Sequence, residues 1–416
     1  MATPLQKKLL DLVREFDSEC AQQHVPYALF GQTDMLARNH KEFRNSTYEF
    51  HVMMPANKVH SVLDALLKQG GGQREVESLA TNPLLRWNTY RYVHAGTTLV
   101  NRDDFLHFKC RGVALEIHPV YSKGPSKIRA ALSLGNHAAH LKPSVSFKFK
   151  NEKQETAYGY YRKTVKYLGE QRVANYLEGF CKKSGSLKAG RGCLETLDGA
   201  IKTVEKLDLT NTKKVSFEGL DLPVLDSYEG YLKAYFGSKW KEESKKKQRP
   251  ANTSAVISSA ARPYKESIEA FKGIGVDFDD LDARYVKYED LLRDVLPISK
   301  KNTDHDYHIA TLCGHRIDTY AELRGKEDEL HRLIAAGNFT QAKAIMHSYL
   351  EYTDKYLKMG LGFFVSQELH DIAAAIWEHD GDKEKGAKVL SCVPPALKTR
   401  NLDETVGAFL AERSEK

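Results

Sequence analysis

Long apolar runs are absent from this sequence, and their absence argues against a membrane-spanning protein. No uninterrupted apolar segment approaches the roughly 20 residues that a helix needs to cross a bilayer. The first segment, residues 1–16, places Lys7, Asp11 and Arg14 among its apolar side chains. That pattern is typical of an amphipathic helix and not of a secretion signal. We therefore expect the chain to act in the cytoplasm.

Paired cysteines and the common catalytic fingerprints are also missing. The six cysteines are widely spaced and include no Cys-x-x-Cys pair, so reduced thiols are expected and not a disulfide framework or a zinc knuckle. There is no Walker A loop, dinucleotide-binding fingerprint, nucleophile elbow or His-Glu-x-x-His motif. These absences argue against the best-known ATP-, NAD-, serine-hydrolase and zinc-protease classes.

The charge balance is modestly basic, and it leaves two interpretations open. The formal net charge of +7 suits an anionic partner, but solubility explains it equally well. Residues 239–249 contain six lysines and arginines but a single aromatic side chain, Trp240, which argues against a single-stranded nucleic-acid platform. This basic run would contact anionic lipid at the inner face of the membrane or a polyanionic glycan, or it is a solvated linker.

The N-terminal half alternates between helix-like and strand-like patterns. These patterns predict helices over residues 4–23, 33–39 and 57–67, and strands over 27–31, 48–54, 90–94, 97–100, 105–110 and 113–120. Helices and strands in this order predict an α+β domain with a small mixed sheet flanked by helices.

The second half has mainly helical periodicity. We expect helix over residues 152–207 and 223–236, and later helices over 317–334, 338–358 and 364–379, with another beginning at Gly381. The basic run leads into a Pro-Ala-Asn-Thr-Ser segment that suits a linker. The predicted organisation is therefore an α+β domain at 1–245, a linker at 246–262 and a helical C-terminal domain at 263–416.

Two predicted strands each carry a Glu-x-His pair. Glu49 and His51 lie on one strand, and Glu116 and His118 lie on the other. Residues two apart on a strand point to the same face, so neighbouring strands would bring all four side chains to one patch. Imidazole with carboxylate suits Zn²⁺, Mn²⁺ or Fe²⁺ better than Mg²⁺. The alternative is coincidence, because the chain has 16 histidines and polar strand residues commonly face solvent.

Four segments between residues 10 and 245 carry motif-like patterns in order. Their ranges are 31–52, 90–98, 115–120 and 222–240. Together they resemble the LicD family of phosphotransferases, which belongs to the nucleotidyltransferase superfamily. The segment 43–52 is similar to that family's Phe-Ile-Pro-Trp-Asp-Asp-Asp-Ile-Asp-Ile, and 115–120 is similar to its Val-Asp-Ile-Phe-Pro-Leu. The resemblance implies a nucleotidyltransferase-like sheet.

The resemblance also implies an activity. Such proteins move a phospho-substituent, of the phosphocholine or polyol-phosphate type, from a nucleotide-diphosphate donor, typically CDP-linked, to a cell-surface glycan or its lipid-linked precursor. Residue by residue, the family's metal-binding acids fall on Glu49, His51 and Glu116, which would be catalytic. Gly31 would let the backbone approach the donor phosphates, and Arg38 would pair with them.

The pattern departs from the family in ways that leave alternatives open. Two acids are replaced by Thr47 and Tyr48, and the family's phenylalanine has become His118, which completes a second Glu-x-His pair. The implied site is a divalent-metal centre of Glu49, His51, Glu116 and His118 holding Mn²⁺, Zn²⁺ or Mg²⁺. A catalytically degenerate binding module in a polysaccharide assembly complex remains the main alternative, and hydrolysis or a different nucleotidyl transfer is a third.

Overall fold

The chain divides into two compact units, Met1–Tyr264 and Lys265–Lys416. The structure, a computed structural model, describes residues 2–43, 48–101, 108–140, 152–187, 191–197, 199–238, 240–243, 255–273, 315–316, 319–320, 322–323, 325–358 and 363–391. The first unit combines helices with four small sheets, which confirms the α+β class predicted from the sequence. No helix in these ranges is long and apolar enough to cross a membrane.

The largest sheet of the first unit has five strands in the order β1-β2-β6-β4-β3. Strands β2 and β6 are parallel, and the other neighbouring pairs are antiparallel. The strands of this sheet are β1 (Ala28–Leu29), β2 (Glu49–Pro55), β3 (Arg74–Glu77), β4 (Tyr90–His94) and β6 (Ala114–Val120), while β5 (Thr98–Asn101) lies elsewhere. Strand β3 is not among the strands predicted from the sequence.

Alternation along β2 explains why the sheet has two differently covered faces. Phe50, Val52 and Met54 point to one face and join the apolar core formed with α1 (Pro4–Gln22) and α3 (Val59–Gln69). Met53 belongs to a second core on the other face, with Phe30 before α2 (Gly31–Asn39). His51, two residues from Met53, therefore also points to the second face.

The second face is covered by two hairpins and a helix. The helices predicted over 152–207 and 223–236 differ in part from these elements. Residues 152–207 were predicted to be helical, but the helices α5 (Glu152–Leu168) and α6 (Glu170–Lys183) are followed by the hairpin of β7 (Arg191–Glu195) and β8 (Ile201–Glu205). The helical prediction is wrong there because the strands are short, and long-range packing buries Cys193, Leu194 and Val204 from them.

The predicted helix over 223–236 is also wrong at its start. Leu220–Leu225 form strand β10, paired with β9 (Thr212–Phe217), and helix α7 (Glu229–Phe236) begins only afterwards. Pro223 is tolerated because this ladder has just two strands, so both of them are edges. Helix α8 (Trp240–Glu243) follows α7, and helix α4 (Lys127–Ala139) packs on α5.

Two further predicted regions fall partly outside the described residues. Of the strand predicted over 105–110, residues 105–107 are not described, and Phe108–Cys110 are not in a strand. Residues 244–254 of the basic run and linker also lie outside the described part. Ala255–Ser259, placed in the linker by the sequence, form strand β11, which pairs with β5. Helix α9 (Tyr264–Gly273) follows.

The described part of the second unit contains short helices around an aromatic core. They are α10 (Glu327–Ala335), α11 (Phe339–Ile345), α12 (His347–Leu357), α13 (Gln367–His379) and α14 (Lys383–Ser391). Asn338 and Ser366 cap α11 and α13 through side-chain oxygens, as expected for residues at helix starts. Tyr349, Tyr356 and Trp377 are buried in this core.

Candidate metal centre

His51, Glu116 and His118 come together because β2 and β6 are parallel neighbours. In the register of this pair, His51 lies opposite Glu116 and Met53 lies opposite His118. Alternate residues share a face, so all three polar side chains point to the second face of the sheet. One ligand atom from each of them lies within 4.8 Å of the other two.

The distances within the cluster suit a small divalent cation. His51 Nδ1 lies 3.1 Å from His118 Nε2 and 3.4 Å from Glu116 Oε2. Ligand atoms that bind Zn²⁺ tetrahedrally at 2.0–2.2 Å are separated from one another by about 3.3 Å. Two of the three pairwise distances are therefore close to the spacing that such an ion requires, and the third pair, Glu116 and His118, lies within 4.8 Å. Two imidazoles and one carboxylate are also a donor set that transition metals accept.

The pKa values of the two histidines are shifted in opposite directions. Burial disfavours the charged form of His51, but the carboxylates of Glu116 and Glu49 outweigh burial and raise the pKa of His51 above its ordinary value. Burial, together with the nearby charge of His51, holds the pKa of His118 well below its ordinary range. His118 is therefore a neutral imidazole at neutral pH, the form in which histidine binds a metal.

Glu49 contacts the other side of the same imidazole. Its Oε2 lies 3.5 Å from His51 Nε2, whereas His51 Nδ1 faces Glu116 and His118. A carboxylate on the remote nitrogen of a ligating histidine fixes its tautomer and orientation. The side chain of Glu49 is 50% exposed, against 18% for Glu116, so it also meets solvent. The structure thus places three of the four predicted ligands in one cluster and Glu49 beside it.

Phe30 and helix α2 hold the backbone of His51 in place. The backbone N–H of His51 donates to Thr33 Oγ1 at 2.9 Å, and its carbonyl accepts from the N–H of Phe30 at 2.9 Å. The Phe30 ring packs on the His118 ring with centroids 4.3 Å apart. Both partners of His51 belong to the chain around Gly31, so this turn determines where the imidazole lies.

Tyr235 of α7 adjoins the cluster from above the same face. Its ring contacts Phe30, with 4.6 Å between centroids, and lies 6.4 Å from the His118 ring. Burial, followed by the carboxylates of Glu116 and Glu49, raises the pKa of Tyr235. This tyrosine lies in the motif-like segment 222–240, but its place beside the cluster depends on the long-range packing of α7.

A buried ion pair supports Glu116 from the opposite strand. Arg91 on β4 lies directly across from Glu116, with Nε 3.8 Å from Glu116 Oε1. The same guanidinium pairs with Glu77 on β3, donates to the Cys110 carbonyl at 3.0 Å and packs over the Phe108 ring. The pairing of Arg91 with Glu77 and Glu116 cannot be predicted from local sequence patterns, because it depends on the register of β3, β4 and β6.

Gly31 and Arg38, named for donor binding, occupy different surroundings. Gly31 opens α2 with φ of +57°, and a side chain there would meet the Tyr235 ring at 3.4 Å. Arg38 donates to Asp34 at 2.7 Å and to the Leu225 carbonyl at 2.6 Å, and it packs over the Tyr228 ring. Asp34 is buried and also accepts from the Tyr231 hydroxyl. Arg38 therefore joins α2 to α7 and β10.

Comparisons with known proteins add no family assignment. No protein-family model matches the chain, and no curated protein and no solved structure shows significant similarity to it. Any proposal for the function of the chain therefore depends on the cluster and on the strands and helices that carry it.

Proposed function

We propose that the chain is a metal-dependent transferase that moves a phospho-substituent from a nucleotide-diphosphate donor to a glycan or a lipid-linked glycan precursor. The observation that carries this proposal is the cluster of His51, Glu116 and His118, with Glu49 beside it. Glu49, His51 and Glu116 stand at the positions where the LicD resemblance expects metal-binding acids, and His118 stands where that family has a phenylalanine. A CDP-linked donor is the first candidate, on the same resemblance.

The order and arrangement of elements support a nucleotidyltransferase-like fold for the first unit. A short strand, β1, ends next to Gly31, the helix α2 follows, and β2 then carries the first Glu-x-His pair. The second pair lies on β6, which is the parallel neighbour of β2. A glycine turn in front of two adjacent ligand-bearing strands is the arrangement that the resemblance implies.

We assign the residues complementary roles. His51, Glu116 and His118 would hold a divalent ion, which would supply charge neutralisation at the donor phosphates. Glu49, the more exposed carboxylate, would accept the proton of the attacking hydroxyl. The hydroxyl oxygen would bond to phosphorus as the phosphorus–oxygen bond to the departing nucleotide breaks. We assign Arg38 the role of holding α2 and Gly31, since its guanidinium is engaged by Asp34 and the Leu225 carbonyl.

We further propose that the transferase works in the cytoplasm. The four cysteines that the structure describes are all free, and three of them are buried. Free buried thiols are the normal state in a reducing compartment. This agrees with a donor that is a soluble nucleotide conjugate.

The test is a transfer assay on the full chain. Purified protein would be incubated with Mn²⁺ or Zn²⁺, a panel of CDP-linked donors and glycan acceptors, and the products followed by phosphorus NMR. We expect release of the nucleoside monophosphate with a new phosphodiester on the acceptor, and loss of both after Glu116→Ala. His347→Ala, at an exposed histidine in the second unit, is the matched control. Full activity of the Glu116→Ala variant would refute the proposed site. Release of inorganic or nucleotide phosphate without a phosphodiester would identify a hydrolase instead.

A further inference from the structure

Exposed apolar side chains of the first unit are concentrated on three neighbouring helices. Of the seven large hydrophobic residues exposed in the described ranges, five belong to α4, α5 and α6. They are Ile128, Tyr160, Tyr167, Leu168 and Tyr176. Single exposed apolar residues are normal on a protein surface, but a concentration on packed helices indicates an interaction surface. We call this the α4–α6 surface.

The most exposed of these residues, Tyr167, stands with Leu168 at the corner between two helices. Helix α5 ends at Leu168, Gly169 turns the chain with φ of +81°, and α6 begins at Glu170. Tyr167 is 83% exposed and Leu168 is 50% exposed. An aromatic and an aliphatic residue therefore project together from a helix–helix turn.

From Tyr160 to the end of α6, the exposed charges are nearly all positive. Between residues 160 and 183 the exposed or partly exposed basic residues are Arg162, Lys163, Lys166, Arg172, Lys182 and Lys183. The interval contains two acids. Glu178 is buried and accepts from Ser78, and Glu170 lies 3.5 Å from the buried His140. The surface thus presents excess positive charge to the solvent.

Two tyrosines and a lysine share one face of α5. Tyr160, Lys163 and Tyr167 follow each other at spacings of three and four, which places them on one side of a helix. Lysine stems cover apolar surface while their ammonium groups reach outward, and tyrosine combines an apolar ring with a polar hydroxyl. This is the composition that favours the boundary between lipid headgroups and acyl chains.

We propose that the α4–α6 surface docks the protein on an anionic lipid bilayer, with Tyr167 and Leu168 entering the interface. The positive charge of the surface complements anionic headgroups. Leu168 and Ile128 distinguish a bilayer from a nucleic acid, because aliphatic side chains gain from entering an apolar layer and offer no ring on which a base stacks. This docking is independent of the metal cluster, and it would bring the enzyme to a lipid-linked acceptor.

The experiment is vesicle flotation of the full chain with phosphatidylcholine vesicles and with vesicles that also contain phosphatidylglycerol. We expect binding to the anionic vesicles that weakens as salt is added. The variant Tyr167→Ser/Leu168→Ser should bind about tenfold more weakly or worse, because about 1.4 kcal/mol of lost apolar burial corresponds to tenfold. Lys163→Glu/Lys166→Glu should lose most of the salt-sensitive binding. Leu67→Ser/Leu197→Ser, which alters exposed leucines outside this surface, is the control and should bind like the parent.

Three outcomes would overturn the proposal. One is the absence of binding to anionic vesicles by the parent. Another is that both surface variants bind as strongly as the parent. If Lys245→Glu/Lys246→Glu/Lys247→Glu then abolishes binding, the contact lies in the basic run. The third is preferential binding of single-stranded RNA that the same surface variants abolish. Unchanged circular dichroism and thermal midpoints of the variants would exclude unfolding as the cause.

Discussion

Arg91 and Glu116 face each other across the antiparallel strands β4 and β6, with the guanidinium Nε 3.8 Å from the carboxylate Oε1. The same row of the sheet contains Glu77, opposite Arg91, and His51, opposite Glu116. Four strands thus place alternating acidic and basic side chains side by side. One oxygen of Glu116 faces Arg91 and the other faces His51, so Arg91 helps to orient the carboxylate for its role in the cluster.

Removal of Arg91 should be costly because Glu77 is almost fully buried. Arg91→Met would leave that carboxylate without its cationic partner, and we expect the free energy of unfolding to fall by about 3–5 kcal/mol. The double variant Glu77→Met/Arg91→Met should recover much of the loss, because both charges are then gone. Urea denaturation of the three proteins checks this.

The exposed ion pair between Arg191 and Glu205 offers the control for that series. Both side chains are 67% exposed, so Arg191→Met should change stability little. If Arg91→Met lowered the free energy of unfolding as little as Arg191→Met does, the pair of Arg91 with Glu77 would not stabilise the strands that carry the site.

Glu49 and Glu116 should differ in their effect on metal binding. Glu116→Gln removes a ligand of the cluster and should abolish stoichiometric binding. Glu49→Gln removes only the partner of His51 Nε2, so we expect binding to persist with affinity lower by about 10–100-fold. Titration of the metal-free variants with Zn²⁺ or Mn²⁺ measures both. Equal loss in the two variants would make Glu49 a direct ligand.

Gly31→Ala should destabilise the first unit through backbone strain and a close contact. The φ of +57° costs an alanine about 1–2 kcal/mol, and its Cβ would lie 3.4 Å from the Tyr235 ring. Gly71→Ala is the matched control, because Gly71 has φ of +55° with nothing within 4 Å. Both variants should unfold at lower urea, but only Gly31→Ala should also weaken metal binding by displacing the turn that holds His51. Unchanged metal affinity in Gly31→Ala would contradict this coupling.

His94 should make the protein less stable in mild acid. Burial, then the charges of Arg74 and Lys8, lowers the pKa of His94 to about 4. Between its ordinary pKa of about 6.5 and 4, the unfolded chain binds a proton that the native chain does not. The contribution of the neutral His94 to the free energy of unfolding is therefore fully present above about pH 6.5. It decreases as the pH falls toward 4. His94→Gln should flatten this part of the stability profile in urea denaturation, whereas His347→Gln should not. Parallel profiles for the parent and His94→Gln would show that His94 is not the responsible group.

The sequence predicted local features better than long-range pairing. Alternation along Glu49–Met54 and Leu115–Val120 was enough to predict that each Glu-x-His pair shares a strand face. Whether the two strands are neighbours, and in which register, depends on contacts that are distant in sequence. The place of Glu77 beside Arg91 was missed for the same reason. The β7–β8 hairpin was missed because its two five-residue strands do not alternate between apolar and polar residues, and burial of Cys193, Leu194 and Val204 depends on packing distant in sequence.

The most direct test of the metal centre is elemental analysis of the full chain after exposure to Zn²⁺ or Mn²⁺ and removal of excess ion. The parent and His347→Ala should retain about one equivalent of metal, and His51→Ala/His118→Ala should retain none, as expected when a single set of three ligands holds the ion. No metal in the parent, or the same amount in the double variant, would contradict the proposed centre and favour a catalytically degenerate binding module.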